Sequence, residues 1–391
     1  MKTKINFTLF GLFTLLIGAI YANSGNAMDD QTNTTSTTLA ELQKDKPKKQ
    51  YVKIALLLDT SNSMDGLINQ AKSQLWDIVN EFSYAKCANE SRPELQIALY
   101  EYGNDDLAST EGYMRQVLNF SGDLDLISEK LFSLSTNGGE EYCGEVIHKS
   151  LEQLQWGKNE DDLKLIFIAG NEPFTQGKLN YKDAATQAKE KNVVVNTIFC
   201  GAYEQGIRSS WKDGATLTGG EYMAIDQNKK IVHIETPYDE VIIKLNHKLN
   251  NTYIQYGSLG AKKYEAQSAQ DAEAAYVAKE VAVKRAVSKS SRLYNNASWD
   301  LVDAYDKDQI ALSDLKPSQL PEVLKNKTEK EIEAYITLKK AERAQIQQAI
   351  QKQNAKRQKF IEEHTKEEDG KLENAMLSAI KKQAATKDFK W

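Results

Sequence analysis

The chain has 391 residues, of which 41% are hydrophobic and 27% charged, and its formal net charge is −5. This composition is that of an ordinary soluble protein, and the length accommodates one large domain with an extension, or two domains. The net negative charge excludes a global basic field for binding nucleic acid.

The first 27 residues have the pattern of an export signal. A basic start precedes a mostly apolar segment from Phe7 to Ala22, and small residues suitable for cleavage follow. The apolar segment is short for a membrane span, so contact with a membrane is expected only through an uncleaved signal. We therefore expect a periplasmic, secreted or cell-surface protein. Residues 28–49 are polar and predict a linker.

The apolar run from Ile54 to Leu58 predicts a strand that is buried on both faces of a parallel sheet. Asp59, Ser61 and Ser63 follow it at alternate positions, in a loop at the carboxyl end of the strand, where open α/β sheets bind ligands. One carboxylate and two hydroxyls are hard oxygen donors that suit Mg²⁺. The alternative is that they only cap the next helix, since Asp and Ser favour N-caps.

Helices and strands then alternate up to about residue 257. Helices are predicted over about 64–82, 123–132, 181–191, 205–216 and 237–253, with one more ending near 156. Strands are predicted over about 95–102, 113–120, 163–169, 193–199 and 221–225. This alternation predicts an α/β fold with a doubly wound, mostly parallel sheet in one domain of residues 51–257.

Residues 261–391 are rich in Ala, Lys, Glu and Gln and predict a helical C-terminal extension. Thr328 and Glu331 form a capping-box signal for a long helix ending near residue 363, and a last helix is predicted over about 371–385. Few apolar signals connect this extension to the sheet. We therefore expect it to pack only partly on the sheet domain, and a fragment of residues 45–258 to fold alone.

The segment from Asp59 to Ser63 resembles the first motif of the von Willebrand factor type A domain family, in which Asp-x-Ser-x-Ser builds a metal-ion-dependent adhesion site. The strand count, helix placement and length of residues 51–257 match that family. The resemblance implies that Asp59, Ser61 and Ser63 bind Mg²⁺, or alternatively Mn²⁺ or Ca²⁺, directly or through water. It implies a binding protein rather than an enzyme, in which an Asp or Glu carboxylate of a protein partner takes the open position of the cation.

Two loops depart from the pattern of the family. The second loop of the family often carries Gly-Gly-Thr, whereas Gly139 is followed here by Glu140; Thr136, just before the glycines, is a substitute donor. The third loop carries Thr-Asp-Gly in the family, and Gly170 stands here in place of the Asp. Either Glu140 replaces the missing carboxylate, or Glu172 or Asn171 reaches in from the third loop, or the site is degenerate and binds partners without metal.

The cysteines Cys87, Cys143 and Cys200 fit no zinc pattern. Cys143 and Cys200 are expected at the same edge of the sheet, so a disulfide, if one forms, is expected between them. Three reduced, buried thiols are the alternative.

Two other functions remain open. The chain could be a metal-independent envelope scaffold that works through its helical extension. A hydrolase is the more distant alternative: Ser61 as a nucleophile would need a base, and no histidine lies near it in the sequence. The sequence also contains no Gly-x-Gly-x-x-Gly, Gly-x-Ser-x-Gly or His-Glu-x-x-His motif.

Overall fold

The computed structural model describes residues 49–225, 234–364 and 371–391, without the side chains of residues 63, 65 and 371–374. The predicted signal peptide of residues 1–27 and the linker up to residue 48 lie outside the described residues. The side chain of Ser63, one of the three predicted metal ligands of the first loop, also lies outside them.

The strands of the described residues form one sheet in the order β3-β2-β1-β4-β5-β6. The strands are β1 (Tyr51–Asp59), β2 (Glu94–Tyr102), β3 (Met114–Ser121), β4 (Leu163–Gly170), β5 (Val194–Cys200) and β6 (Tyr222–Ile225). All neighbouring pairs are parallel except β2 and β3, which are antiparallel. The predicted doubly wound, mostly parallel sheet is confirmed.

Helices cover both faces of this sheet. The helices up to β6 are α1 (Asp65–Tyr84), α2 (Leu124–Phe132), α3 (Cys143–Gln153), α4 (Tyr181–Glu190), α5 (Tyr203–Arg208) and α6 (Trp211–Thr216). Those that follow are α7 (Asp239–Asn250), α8 (Gly260–Val277), α9 (Lys279–Lys289), α10 (Leu301–Asp306), α11 (Glu329–His364) and α12 (Lys371–Ala385). The predicted capping box is present, since the Thr328 amide donates to Glu331 Oε2 at 2.8 Å.

Alternate side chains of β1 point into two separate cores. Leu56 and Leu58 belong to the core that contains Trp76 of α1, whereas Leu57 belongs to the core that contains Val146 of α3. The expectation of a strand buried on both faces is confirmed, because every residue of β1 after Tyr51 is buried. The strand therefore fixes the position of Asp59, its last residue.

The helical extension differs from expectation in its packing. Val283 of α9, Ile350 of α11 and Ile380 of α12 belong to the same hydrophobic core as β1 and α1, and residues 49–391 form one compact unit. The expectation that few apolar side chains connect the extension to the sheet is wrong. These side chains are spread over separate helices and come together only when the helices pack, so the sequence does not show their common core. The expectation that a fragment of residues 45–258 folds on its own stays a prediction.

The extension also contains a short helix, α10, between α9 and α11. Asp300 caps α10 by accepting a hydrogen bond from the Asp303 amide. Within the described ranges, no helix is both long and apolar enough to cross a bilayer.

Candidate functional site at the carboxyl edge of the sheet

Asp59 lies completely buried where β1 ends, with 0% of its surface exposed. Its Oδ1 accepts a hydrogen bond from the Ser61 amide at 2.8 Å. Its Oδ2 is buried and has no hydrogen-bond donor among the described residues. A Cβ on Gly103, directly after β2, would lie 2.8 Å from Asp59 Oδ1. Only a glycine at position 103 therefore lets the backbone lie this close to the Asp59 carboxylate. One carboxylate oxygen of Asp59 is therefore left for a partner that this part of the chain does not supply.

Glu141, which lies just before α3, is the second carboxylate of the site. It is 3% exposed, and its Oε2 accepts a hydrogen bond from the Glu172 amide at 3.3 Å. The carboxyl groups of Asp59 and Glu141 are within hydrogen-bonding reach of each other, and the Ser61 hydroxyl is within reach of both. We refer to Asp59 and Glu141 as the acid pair.

The electrostatics of the acid pair oppose its ionisation. Burial, followed by the charge of Glu141, raises the pKa of Asp59 well above its usual value. Burial also raises the pKa of Glu141, and the charge of Glu172 adds to this effect. No Lys, Arg or His is among the groups that most influence either pKa. These directions favour a pair that shares a proton or binds a cation.

Hydrogen bonds connect the loops at this edge of the sheet. The Thr60 amide donates to the Tyr102 carbonyl at 2.9 Å, and the Asn137 amide donates to the Thr60 carbonyl at 2.9 Å. Asn104 Nδ2 donates to the Ser135 carbonyl at 3.1 Å. The second loop is thus held on both sides of Thr136, the substitute donor that the sequence suggested: Asn137 bonds to the first loop, and Ser135 bonds to the loop that follows β2.

The other acidic candidates lie at the surface. Glu140 is exposed, and its Oε2 accepts a hydrogen bond from Gln176 Nε2 at 2.8 Å. Glu172 is exposed as well and reaches the acid pair through its backbone amide. The structure therefore brings Glu141, rather than Glu140, next to Asp59. Glu140 and Glu141 are adjacent in the sequence, but a loop has no periodic pattern that indicates which of the two side chains is buried.

Gly170 explains why the third loop lacks its carboxylate. A Cβ at this position would lie 2.5 Å from Tyr102 Oη and 3.2 Å from Asp59 Oδ2. No larger residue fits without displacing Tyr102, whose hydroxyl donates to the Ala169 carbonyl at 2.9 Å. The next residue, Asn171, carries a second buried oxygen, Oδ1, for which the described residues offer no hydrogen-bond donor.

The three cysteines are all buried and free in the structure, which corresponds to the alternative of three reduced, buried thiols rather than to a disulfide between Cys143 and Cys200. Cys143 belongs to the core on the α3 face of the sheet, and Cys200 belongs to the core on the α1 face. The sheet itself separates the two thiols. Both thiols lie close enough to the acid pair to be affected by its charges. Burial, together with the charges of Asp59 and Glu141, raises the pKa of both thiols well above the usual value.

The acid pair fits a hard divalent cation. Its donor set comprises the Ser61 hydroxyl and two carboxylates, one of which has the unpartnered Asp59 Oδ2, and all of these are oxygen ligands. No group of three or more His, Cys, Asp or Glu side chains within the described ranges could hold a metal ion. The remaining positions of a cation here would accordingly go to hydroxyls, carbonyls or water, the ligand mixture that Mg²⁺ accepts.

Comparison with protein-family models matches residues 53–209 to the von Willebrand factor type A domain. A search of the curated proteins finds no match. Among solved structures, similarity extends to BatB from Bacteroides thetaiotaomicron, at 17% identity over 45% of this chain and 90% of that chain, with a TM-score of 0.35. The VWA domain of SpRpn10 is similar at 15% identity over 46% of this chain and 90% of that chain, with a TM-score of 0.34.

A third similar structure is proximal thread matrix protein 1 from the mussel byssus, solved with a zinc-occupied MIDAS motif. It shares 14% identity over 46% of this chain and 43% of that chain, with a TM-score of 0.35. The present chain thus matches less than half of the mussel protein, and each of the three similarities covers less than half of the present chain.

Proposed function

We propose that the von Willebrand factor type A domain formed by residues 53–209 binds a divalent cation at Asp59 and Glu141 and uses it to hold a carboxylate of a protein partner. Domains of this family are protein-interaction modules, some with metal sites, and they are generally non-enzymatic. The specific site and ligand are our proposal. We extend it to a periplasmic or cell-surface location, which the first 27 residues predict.

The unpartnered Asp59 Oδ2 beside Glu141 is the observation that supports this proposal. Burying two like charges without compensation is costly, and a cation compensates both at once. A bound Mg²⁺, Mn²⁺ or Ca²⁺ would supply that charge and an exchangeable ligand position. Asp59, Glu141 and the Ser61 hydroxyl would hold it, and Ser63 and Thr136 remain candidates for further donors. Glu140 and Glu172 belong to the rim.

The acidic rim indicates the character of the partner. Asp105, Glu140 and Glu172 are exposed on the loops around the site, and the Asp105 amide donates to the Gly138 carbonyl, which places Asp105 beside the second loop. A partner whose carboxylate reaches the cation therefore has to approach three negative charges. We expect basic residues next to that carboxylate, because they would complement the rim and speed the encounter.

Calorimetry and thermal unfolding of the full chain with Mg²⁺, Mn²⁺ and Ca²⁺ test the metal site. A cation at a hundredfold excess over its dissociation constant should stabilise the native state by about 2.7 kcal/mol. Asp59→Asn and Glu141→Gln should abolish both binding and stabilisation, while Glu140→Gln, the matched control in the next position, should retain both. If no cation binds the wild type, or if Glu140→Gln is the variant that loses binding, the proposed site is wrong and the metal-independent scaffold replaces it.

Immobilised peptides test the partner chemistry. A peptide with one Glu between lysines should bind the Mn²⁺-loaded chain, and its Gln analogue should not. Addition of a chelator should release the Glu peptide. Equal binding of both peptides, or binding that survives the chelator, would refute carboxylate capture through the cation even if the metal itself binds.

A further inference from the structure

Three side chains of complementary chemistry meet between α7, α8 and α9. Lys289 is the last residue of α9, Asn250 is the last residue of α7, and Asp271 lies on α8. Lys289 is 0% exposed, so its amino group is removed from bulk water. An amine, a carboxamide and a carboxylate are the groups that the exchange of one amide nitrogen for another requires.

The contacts among these groups match the order of such a reaction. Lys289 Nζ donates to Asn250 Oδ1 at 2.5 Å, which holds the amine against the carboxamide. Asp271 Oδ2 accepts a hydrogen bond from Lys289 Nζ at 2.7 Å and another from Asn250 Nδ2 at 2.8 Å. One carboxylate oxygen therefore contacts both the nitrogen that would attack and the nitrogen that would leave, and it can carry a proton from the first to the second.

The surroundings of Lys289 favour its neutral form, which is the nucleophilic one. Burial lowers the pKa of Lys289 to about 8; Asp271 opposes this shift, Arg285 adds to it, and Asp125 opposes it. The centroid of the Tyr294 ring lies 5.9 Å from Nζ. Roughly a tenth of Lys289 is uncharged at neutral pH, whereas an ordinary lysine is almost entirely charged.

Arg285 keeps Asp271 ready to accept a proton. Burial acts to raise the pKa of Asp271, but Lys289 and Arg285 lower it below the usual value. Arg285 Nε lies 2.7 Å from Asp271 Oδ1, so this cation stays beside the carboxylate when Lys289 loses its charge. Asp271 is therefore ionised, which is the form that serves first as a base and then as an acid.

We propose that the chain forms an isopeptide bond between Lys289 and Asn250 by its own chemistry. The neutral Lys289 Nζ attacks Asn250 Cγ, and the electron pair of the carbonyl bond moves to Oδ1. Asp271 takes one proton from Nζ and gives it to Nδ2. The carbonyl bond then re-forms, the bond between Cγ and Nδ2 breaks, and ammonia leaves.

The product is a secondary amide that joins the ends of α7 and α9. Nothing is oxidised or reduced, and no further reactant is consumed. The bond links the helical extension covalently to the preceding domain and is independent of the acid pair and of any cation bound there.

Mass spectrometry of the denatured full chain tests this reaction. After incubation at a pH of about 9, one unit above the pKa of Lys289, the wild type should be lighter by one molecule of ammonia. A proteolytic digest should contain a branched peptide that joins Lys289 to Asn250. Other asparagines can lose ammonia by ring closure onto their own backbone, so the branched peptide identifies the bond and the mass alone does not.

Variants separate the roles of the three groups. Asn250→Ala and Lys289→Met should form no branched peptide, and Asp271→Asn should form it at least about a hundredfold more slowly. Asn246→Ala is the matched control, because Asn246 Nδ2 donates to the same Asp271 Oδ2 at 2.9 Å from one turn earlier on α7. This variant keeps all three reacting groups and should still form the branched peptide.

Three outcomes would overturn the proposal. The first is that the wild type keeps its full mass after the incubation. The second is that ammonia is lost without any branched peptide, and the third is that the branched peptide joins Lys289 to a residue other than Asn250.

Discussion

Two buried groups of charges in this molecule are built in opposite ways. In the first, Arg285 Nη2 lies 2.7 Å from Asp125 Oδ1, Arg285 Nε lies 2.7 Å from Asp271 Oδ1, and Lys289 Nζ lies 2.7 Å from Asp271 Oδ2. We refer to these four residues as the balanced cluster. The acid pair, Asp59 and Glu141, is at least as deeply buried but contains no positive charge.

The two groups differ in how their buried charges are compensated. In the balanced cluster, Lys289 and Arg285 lower the pKa of Asp271 although burial acts to raise it. Burial lowers the pKa of Lys289 to about 8, against the opposing effect of Asp271. At the acid pair, burial and like charge act together to raise the pKa of Asp59. The balanced cluster can satisfy its charges internally, and the acid pair cannot.

Removal of a positively charged side chain from the balanced cluster should have the largest effect on stability. Arg285→Ala leaves Asp125 and Asp271 with too little compensation, and breaking a buried ion pair typically costs about 3–5 kcal/mol. The midpoint of urea unfolding of the full chain measures this loss. Lys325→Ala is the control, because its ion pair with Glu322 is at the surface and such pairs contribute about 0–1 kcal/mol. Similar midpoints for the two variants would show that the cluster does not stabilise the fold.

Neutralisation of the acid pair should have a smaller effect of opposite sign. In chelator, Asp59→Asn should stabilise the chain by about 1–3 kcal/mol, the usual cost of a buried group without a partner, because the new amide can donate to Glu141. Asp106→Asn, at an exposed position in the adjacent loop, should change little. Chemical denaturation with and without Mg²⁺ provides the measurement. Destabilisation by Asp59→Asn in chelator would mean that the ionised pair already has compensation.

Acidification should cause the smallest change in stability of the three, and the sign of that change should distinguish the acid pair from the balanced cluster. The folded pKa of Asp59 is raised, so its unfavourable contribution disappears as the pH falls from that pKa toward about 3.9, the unfolded value. The folded pKa of Asp271 is lowered, so its contribution is complete above about 3.9 and is lost as the pH falls toward the folded pKa. In chelator, stability should therefore first rise and then fall during acidification.

Urea midpoints across this pH range check the sign of both contributions. Asp59→Asn should remove the initial rise and keep the later fall, whereas Asp271→Asn should weaken the fall. An initial fall of stability in the wild type, of the same size in Asp59→Asn, would contradict the assignment of a raised pKa to Asp59.

The sequence predicted those parts of the molecule that depend on local or periodic signals. The apolar run that forms β1 and the capping box at Thr328 each act within a few residues, so their structures followed from their patterns. The selection of Glu141 over Glu140 depends on how the second loop packs on Gly103, which no periodic pattern encodes. The same limit applies to the cysteines, since the sheet that separates Cys143 from Cys200 is a property of the assembled fold.

The position of α12 has a consequence for the order in which the molecule can be made. Ile380 and Phe389 belong to the core that contains β1, and the main chain of Lys390 pairs with that of Lys86 in an isolated antiparallel bridge. During synthesis this core stays incomplete until Ile380 and Phe389 have been translated. The strand β1, made more than 300 residues earlier, therefore has to wait for α12 before one of its two faces is fully covered.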